Sequence, residues 1–168
     1  IHGFMSERWR IEPEYAMKVD PGLGLLGVLL EPTTVIIKAL EKFQPWFFEE
    51  PIQHQNLPLM ADMAKKTHIP FATGERLVTK WQFRDLLNLG AAQFLQPDIT
   101  HCGGITELKA IATLAEAYYA AMLPHSREGI VGTVASMHVC ATIPNFLAHE
   151  LPSLQAAVQE TRAAGVLA

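Results

Sequence analysis

The chain has 168 residues, long enough for one domain with a sizeable core, and its 49% hydrophobic and 18% charged content is ordinary for a folded protein in water. With 13 basic and 17 acidic side chains the net charge is −4, and no basic stripe is present, which argues against a nucleic-acid partner. The longest apolar run, Gly22 to Leu30, is broken by Glu31 and Pro32 and is too short to span a bilayer.

In chain order, residues 1–32 show no clean strand–helix pattern and form a poorly defined N-terminal segment. A helix is expected from about Thr33 to Phe43. One unit then repeats, in which a short apolar run ends in a polar residue and is followed by a loop and a helix. The runs are Trp46 to Glu49, Pro70 to Glu75, Phe94 to Asp98, Ala121 to His125 and Phe146 to Glu150. Their last residues, Glu49, Glu75, Asp98, His125 and Glu150, are spaced by 26, 23, 27 and 25 positions.

Helices are expected between the runs, at Leu57 to Lys66, Trp81 to Leu89, Ile105 to Tyr118 and Val131 to Thr142, the last stopped ahead of Pro144. The tail, residues 151–168, reads as one Ala-rich helix. Runs without polar alternation suit strands buried on both faces of a parallel sheet. The fold class is therefore α/β, a partial (β/α) barrel of about five to six βα units, with 33–150 as its body. An open doubly wound sheet is the alternative. It usually carries a Gly-rich phosphate loop, and Gly103-Gly104 is no such motif.

Cys102 and Cys140 lie 38 positions apart with no metal-ligand spacing, which fits a reducing compartment. No charged leader opens the sequence, so a cytoplasmic location is expected.

In a (β/α) barrel the active site lies at the C-terminal ends of the strands. A lone glutamate there is ordinarily a solvated rim charge, but five polar strand ends at one spacing argue for a site. Glu49 and Glu75 offer the hard oxygen donors that Mg²⁺ takes. The next residue, Glu50, points the opposite way from Glu49 in an extended chain, toward the wall or a loop. Asp98 and His125 suit a carboxylate–imidazole pair, in which the acid fixes the tautomer and leaves the second ring nitrogen for proton transfer. His101, in the loop after Pro97, is a candidate for lining the site. His54 and His68 sit in polar surroundings and are expected to be exposed. His138 falls within a helix, and His149 should face away from Glu150.

Several stretches together carry a resemblance. They are Phe48-Glu49-Glu50-Pro51, Ala72-Thr73-Gly74-Glu75-Arg76-Leu77 and Gln96-Pro97-Asp98 running to Gly103-Gly104-Ile105, then Pro124-His125 and Ile143-Pro144-Asn145-Phe146 up to Glu150. Over about Thr33 to Glu150 the chain resembles the enolase superfamily, in the mandelate racemase branch, and most closely acid-sugar dehydratases of the galactonate dehydratase type.

The resemblance implies a Mg²⁺-dependent lyase acting on a small sugar acid. Glu49 and Glu75 would be metal ligands, and Asp98 and His125 the dyad that removes the α-proton. Glu150 would hydrogen-bond the substrate carboxylate; His101 is expected on the substrate side from its loop position alone. The family's first metal ligand, an Asp one strand earlier, has no counterpart at Leu23-Gly24-Leu25, where the spacing would put it; Asp20 is the nearest acid. The N-terminal capping domain is also expected to be absent. Two further readings follow: a racemase or epimerase of the same superfamily, or an inactive fragment lacking that ligand. Open strand edges would favour a homo-oligomer.

Overall fold

The computed structural model describes residues 36–127, 129–151, 159, 162 and 163. The expected N-terminal segment, Asp20 and nearly all of the C-terminal tail lie outside the described residues. The chain divides into two units, residues 1–44 and 45–168. In the first, helix α1 (residues 36–41) falls within the helix expected there and carries an i,i+3 ion pair, Lys38 Nζ to Glu41 Oε1 at 2.8 Å.

The second unit is built on the apolar runs. Its elements are β1 (Phe48–Glu49), α2 (Leu57–Ala64), β2 (Phe71–Thr73), α3 (Thr79–Leu89), β3 (Phe94–Leu95), α4 (Ile99–Cys102), α5 (Ile105–Ala117), β4 (Ala121–Met122) and α6 (Gly129–Cys140). The four strands form one parallel sheet in the order β1-β2-β3-β4. Parallel neighbours need a crossover, and the helices supply it.

The last run, ending at Glu150, adds itself along the far side of β4. Parallel bridges join Met122 to Phe146 and His125 to Glu150, with Met122 N donating to Asn145 O at 2.8 Å and Leu147 N to Met122 O at 2.9 Å. The α/β repeat expected from the spacing is thus present as five parallel segments.

The strands are short because the chain leaves the sheet at each polar end. Strand β2 is buried on both faces, with Phe71, Ala72 and Thr73 all fully covered, whereas β1 ends in exposed Glu49. Against them pack Met60 from α2, Phe83 and Leu86 from α3, and Leu108 and Ile111 from α5, all buried. Each such large apolar side chain stabilises the fold by about 1.5–3 kcal/mol, so these stripes hold the helices to the sheet.

Local signals explain the helix ends. Asn56 accepts from Leu59 N to cap α2, and Pro58 occupies its first turn, where a missing N–H costs nothing. Gly90, at φ 65°, closes α3 in the left-handed conformation. The Glu107 carboxylate accepts from Lys80 N at 2.7 Å and from Lys80 Nζ, joining α5 to α3.

The short helix α4 is not expected from periodicity, since four residues carry no repeat. No described helix is long and apolar enough to cross a membrane.

Candidate active site

The candidate residues gather at the C-terminal end of the sheet. Asp98, His125 and Glu150 occupy one register row, since Asp98 bridges His125 and His125 bridges Glu150. Glu49, by contrast, is paired with Ala72 rather than with Glu75. Strands tilted as in a barrel are staggered in register, so equal spacing along the chain is not equal height in the sheet.

At the centre of that row, His125 Nδ1 lies 2.8 Å from Asp98 Oδ2, with both residues buried. Asp98 is also the N-cap of α4. Its Oδ1 accepts from Thr100 N at 2.8 Å and from the Thr100 hydroxyl. Burial opposes the charge on Asp98, but the Thr100 hydroxyl and amide and the His125 ring outweigh it and hold the carboxyl below its ordinary value. Asp98 is therefore ionised, and His125 donates to it from Nδ1. The other ring nitrogen, Nε2, faces the Glu75 carboxylate, 3.4 Å from Oε2.

Glu75, half-buried, also accepts from Arg76 Nε at 3.1 Å through Oε1. Its backbone oxygen lies 3.0 Å from Nδ1 of exposed His101, which brings His101 beside the same strand end. Glu49 Oε1 accepts from Gln96 Nε2 at 2.9 Å. The adjacent Glu50 turns the other way: its carboxylate accepts from the Thr73 hydroxyl and, at 3.4 Å, from Gly74 N. Glu50 has φ 43°, so a left-handed backbone at the strand end, rather than the expected extended alternation, accompanies the separation of the two neighbouring carboxylates.

Glu150 is pushed above its ordinary value, first by burial and then by the negative charge of Glu49, with Glu75 adding to it while His125 and Arg127 oppose. The electrostatics therefore couple Glu49, Glu75 and Glu150 across one end of the sheet. Among the described residues, no group of three or more His, Cys, Asp or Glu side chains is disposed to bind a metal. The donor type nevertheless fits Mg²⁺, which commonly takes one or two carboxylates and completes its shell with water and substrate.

Three residues matter here that periodicity and motif spacing do not expose. Gln96, almost fully buried, holds Glu49 while its own Oε1 has no hydrogen-bond partner. Thr100 holds Asp98, and Thr at the second position after a capping Asp is the available signal. His149 does face away from Glu150, but toward two buried serines. Among the other histidines, His68 and His138 are exposed. His54, expected to be exposed, is instead half-buried, with Nδ1 buried and unpartnered.

The comparisons bear on the family and the fold. Residues 27–166 match the family model described as enolase C-terminal domain-like. The chain is 37% identical over 131 residues to the D-galactonate dehydratase of Cronobacter sakazakii, covering 77% of this chain and 34% of that protein. It superposes on a mandelate racemase/muconate lactonizing enzyme-like protein from Roseovarius sp. TM1035 with a TM-score of 0.75 at 38% identity, covering 80% of this chain and 34% of that one. An enolase from Agrobacterium radiobacter, solved with Na and L-malate bound, gives a TM-score of 0.69 at 35% identity, with 73% and 31% covered. The chain spans about a third of the length of the curated relatives it matches. It belongs to the enolase C-terminal domain-like family, and its parallel strands form part of that family's (β/α) barrel.

Proposed function

We propose that this chain is the barrel portion, with residues 33–150 as its body, of a Mg²⁺-dependent acid-sugar dehydratase. The reaction removes the proton α to a sugar carboxylate and then expels a β-hydroxyl as water. The observation that carries this reading is the buried His125–Asp98 pair, 2.8 Å apart, with the free face of the imidazole turned toward Glu75. The similarity to a D-galactonate dehydratase supports the substrate class.

An α-proton beside a carboxylate is very weakly acidic, so its removal needs a well-oriented base and stabilised oxygen charge. Ionised Asp98 keeps the His125 proton on Nδ1, which leaves the Nε2 lone pair to take the α-proton. The electron pair of the broken C–H bond moves into the carboxylate and gives an enediolate. Glu150, in the same register row as His125, would hydrogen-bond that enediolate through its carboxyl proton when it carries one. Collapse of the enediolate breaks the bond to the β-hydroxyl, which takes a proton from solvent and departs as water; His125 Nε2 returns the abstracted proton to solvent, and the resulting enol tautomerises to a 2-keto-3-deoxy acid. Glu49 and Glu75 would hold Mg²⁺, which when bound supplies positive charge opposite the developing oxyanions. His101, whose Nδ1 lies beside the Glu75 backbone oxygen, would meet the substrate from the rim.

The test is to incubate the protein that carries this barrel with a panel of hexonates and pentonates and Mg²⁺, and to assay the keto acid. A hexonate or pentonate converted by wild type but not by His125→Asn supports the reading. No keto acid from any of them would sink it.

A further inference from the structure

We propose that His149 is a positioning residue that sets the spacing of His125 and Glu150. Its Nε2 lies 3.0 Å from Ser126 Oγ and 3.1 Å from Ser136 Oγ. Ser126 directly follows His125, His149 directly precedes Glu150, and Ser136 lies within α6. One imidazole thus joins the segment carrying the base, the segment carrying the strand-end acid, and the helix between them.

The backbone alone holds this junction loosely. Beyond β4 the two segments share the His125–Glu150 bridge, in which Glu150 N donates to Pro124 O at 2.9 Å. The side-chain clasp adds a second tie at the same height. Ser126 is 2% exposed and Ser136 fully buried, so neither hydroxyl is placed to attack a substrate, and a nucleophile–base reading of Ser126 and His149 is excluded by burial. Burial also keeps His149 below its ordinary value, with the Asp98 charge opposing and the His125 charge reinforcing the shift. A neutral ring carrying its proton on Nδ1 offers one lone pair at Nε2, which the Ser126 and Ser136 hydroxyls share.

The geometric part of this inference is independent of the dehydratase reading, and only its effect on turnover rests on that reading. The 168-residue chain is compared by NMR as wild type, His149→Leu, His149→Gln and Ser136→Ala, following the His125 ring nitrogens and the Glu150 amide. Leucine should move both sets of signals. Glutamine, which places a polar atom near the position of Nε2, should return them toward wild type, and Ser136→Ala should give a partial shift in the same direction. Where turnover is measured in the protein that carries this barrel, His149→Leu should lower kcat on the order of a hundredfold with KM little changed. Unmoved His125 and Glu150 signals in a folded His149→Leu protein overturn the proposal, as does failure of glutamine to restore them. If His149→Leu does not fold, Ser136→Ala decides, and unmoved signals there overturn it equally. Shifted signals without dehydration would count against the dehydratase reading and leave the clasp standing.

Discussion

His125 Nδ1 and Asp98 Oδ2 are 2.8 Å apart, and the same two residues face each other in parallel register across neighbouring strand ends. Backbone pairing and side-chain bond therefore fix one geometry twice. Asp98 is fixed a third time as the cap of α4, through Thr100. In Asp98→Ala the imidazole loses the group that selects its tautomer. Turnover in the protein that carries this barrel should fall about 10²-fold to 10⁴-fold with a small change in KM. Losing the cap should also cost about 1 kcal/mol of stability by urea titration. A wild-type rate for Asp98→Ala would remove the pair from the chemistry.

The two shifted carboxyls make stability depend on pH in opposite directions. Asp98 is held below its ordinary 3.8, so its contribution is present above that value and is lost as pH falls through the lower folded value. Glu150 is held above its ordinary 4.5, so the folded state binds its proton more tightly, and this contribution is lost as pH rises from 4.5 through the raised value. Glu150→Gln removes only the second effect. Urea titrations across this range should show the variant more stable than wild type at neutral pH, with the acid limb unchanged. Equal stability at neutral pH would show that Glu150 carries no such penalty.

Residue spacing exposed the strand ends because each βα unit fills a similar length of chain, and each strand stops where the chain turns polar. That was enough to pick out Glu49, Glu75, Asp98, His125 and Glu150. It could not place Glu49 opposite Ala72, because register depends on strand tilt rather than on the count between repeats. Nor could it find α4, a single turn held by the Asp98 cap, or the partners Gln96 and His149, whose roles arise from three-dimensional neighbours far away in sequence. His54 was misjudged for a related reason. Polar neighbours in sequence say little about what covers a side chain in three dimensions.

Gln96 separates stability from site geometry. Its Nε2 bonds the Glu49 carboxylate, a contact worth about 1.5–3 kcal/mol, while its buried Oε1 has no partner, a penalty of about 1–3 kcal/mol. The two nearly cancel, so Gln96→Leu should stay within about 1 kcal/mol of wild-type stability. Glu49 would lose its restraint, and affinity for Mn²⁺, followed by loss of the free-ion EPR signal, should drop about 10-fold to 100-fold. Glu49→Gln and Glu75→Gln should each weaken binding further. Unchanged Mn²⁺ affinity in Gln96→Leu would mean that the Glu49 contact does not orient a ligand.

Gly74 stands between Thr73 and Glu75 at φ 140°, a conformation that L side chains rarely adopt. A methyl group there would lie 2.8 Å from Phe83 Cε1 and 3.0 Å from Gln96 N. Phe83 is fully buried and the Gln96 backbone belongs to the sheet, where Gln96 N donates to Thr73 O at 2.9 Å, so neither yields cheaply. Backbone strain of about 1–3 kcal/mol and overpacking of about 1–3 kcal/mol act together in Gly74→Ala. The loss should read as about 2–6 kcal/mol in urea denaturation. Relief of the clash would push the strand end outward, carrying Glu75 away from His125 and Gln96 away from Glu49. Mn²⁺ affinity should therefore fall even in the fraction that remains folded. Phe83→Leu in the same background removes the atom that Cβ meets first and should recover part of the stability while leaving the strain at φ. Full recovery in the double variant would show that the contact with Phe83, and not the backbone conformation, is what requires glycine between Thr73 and Glu75.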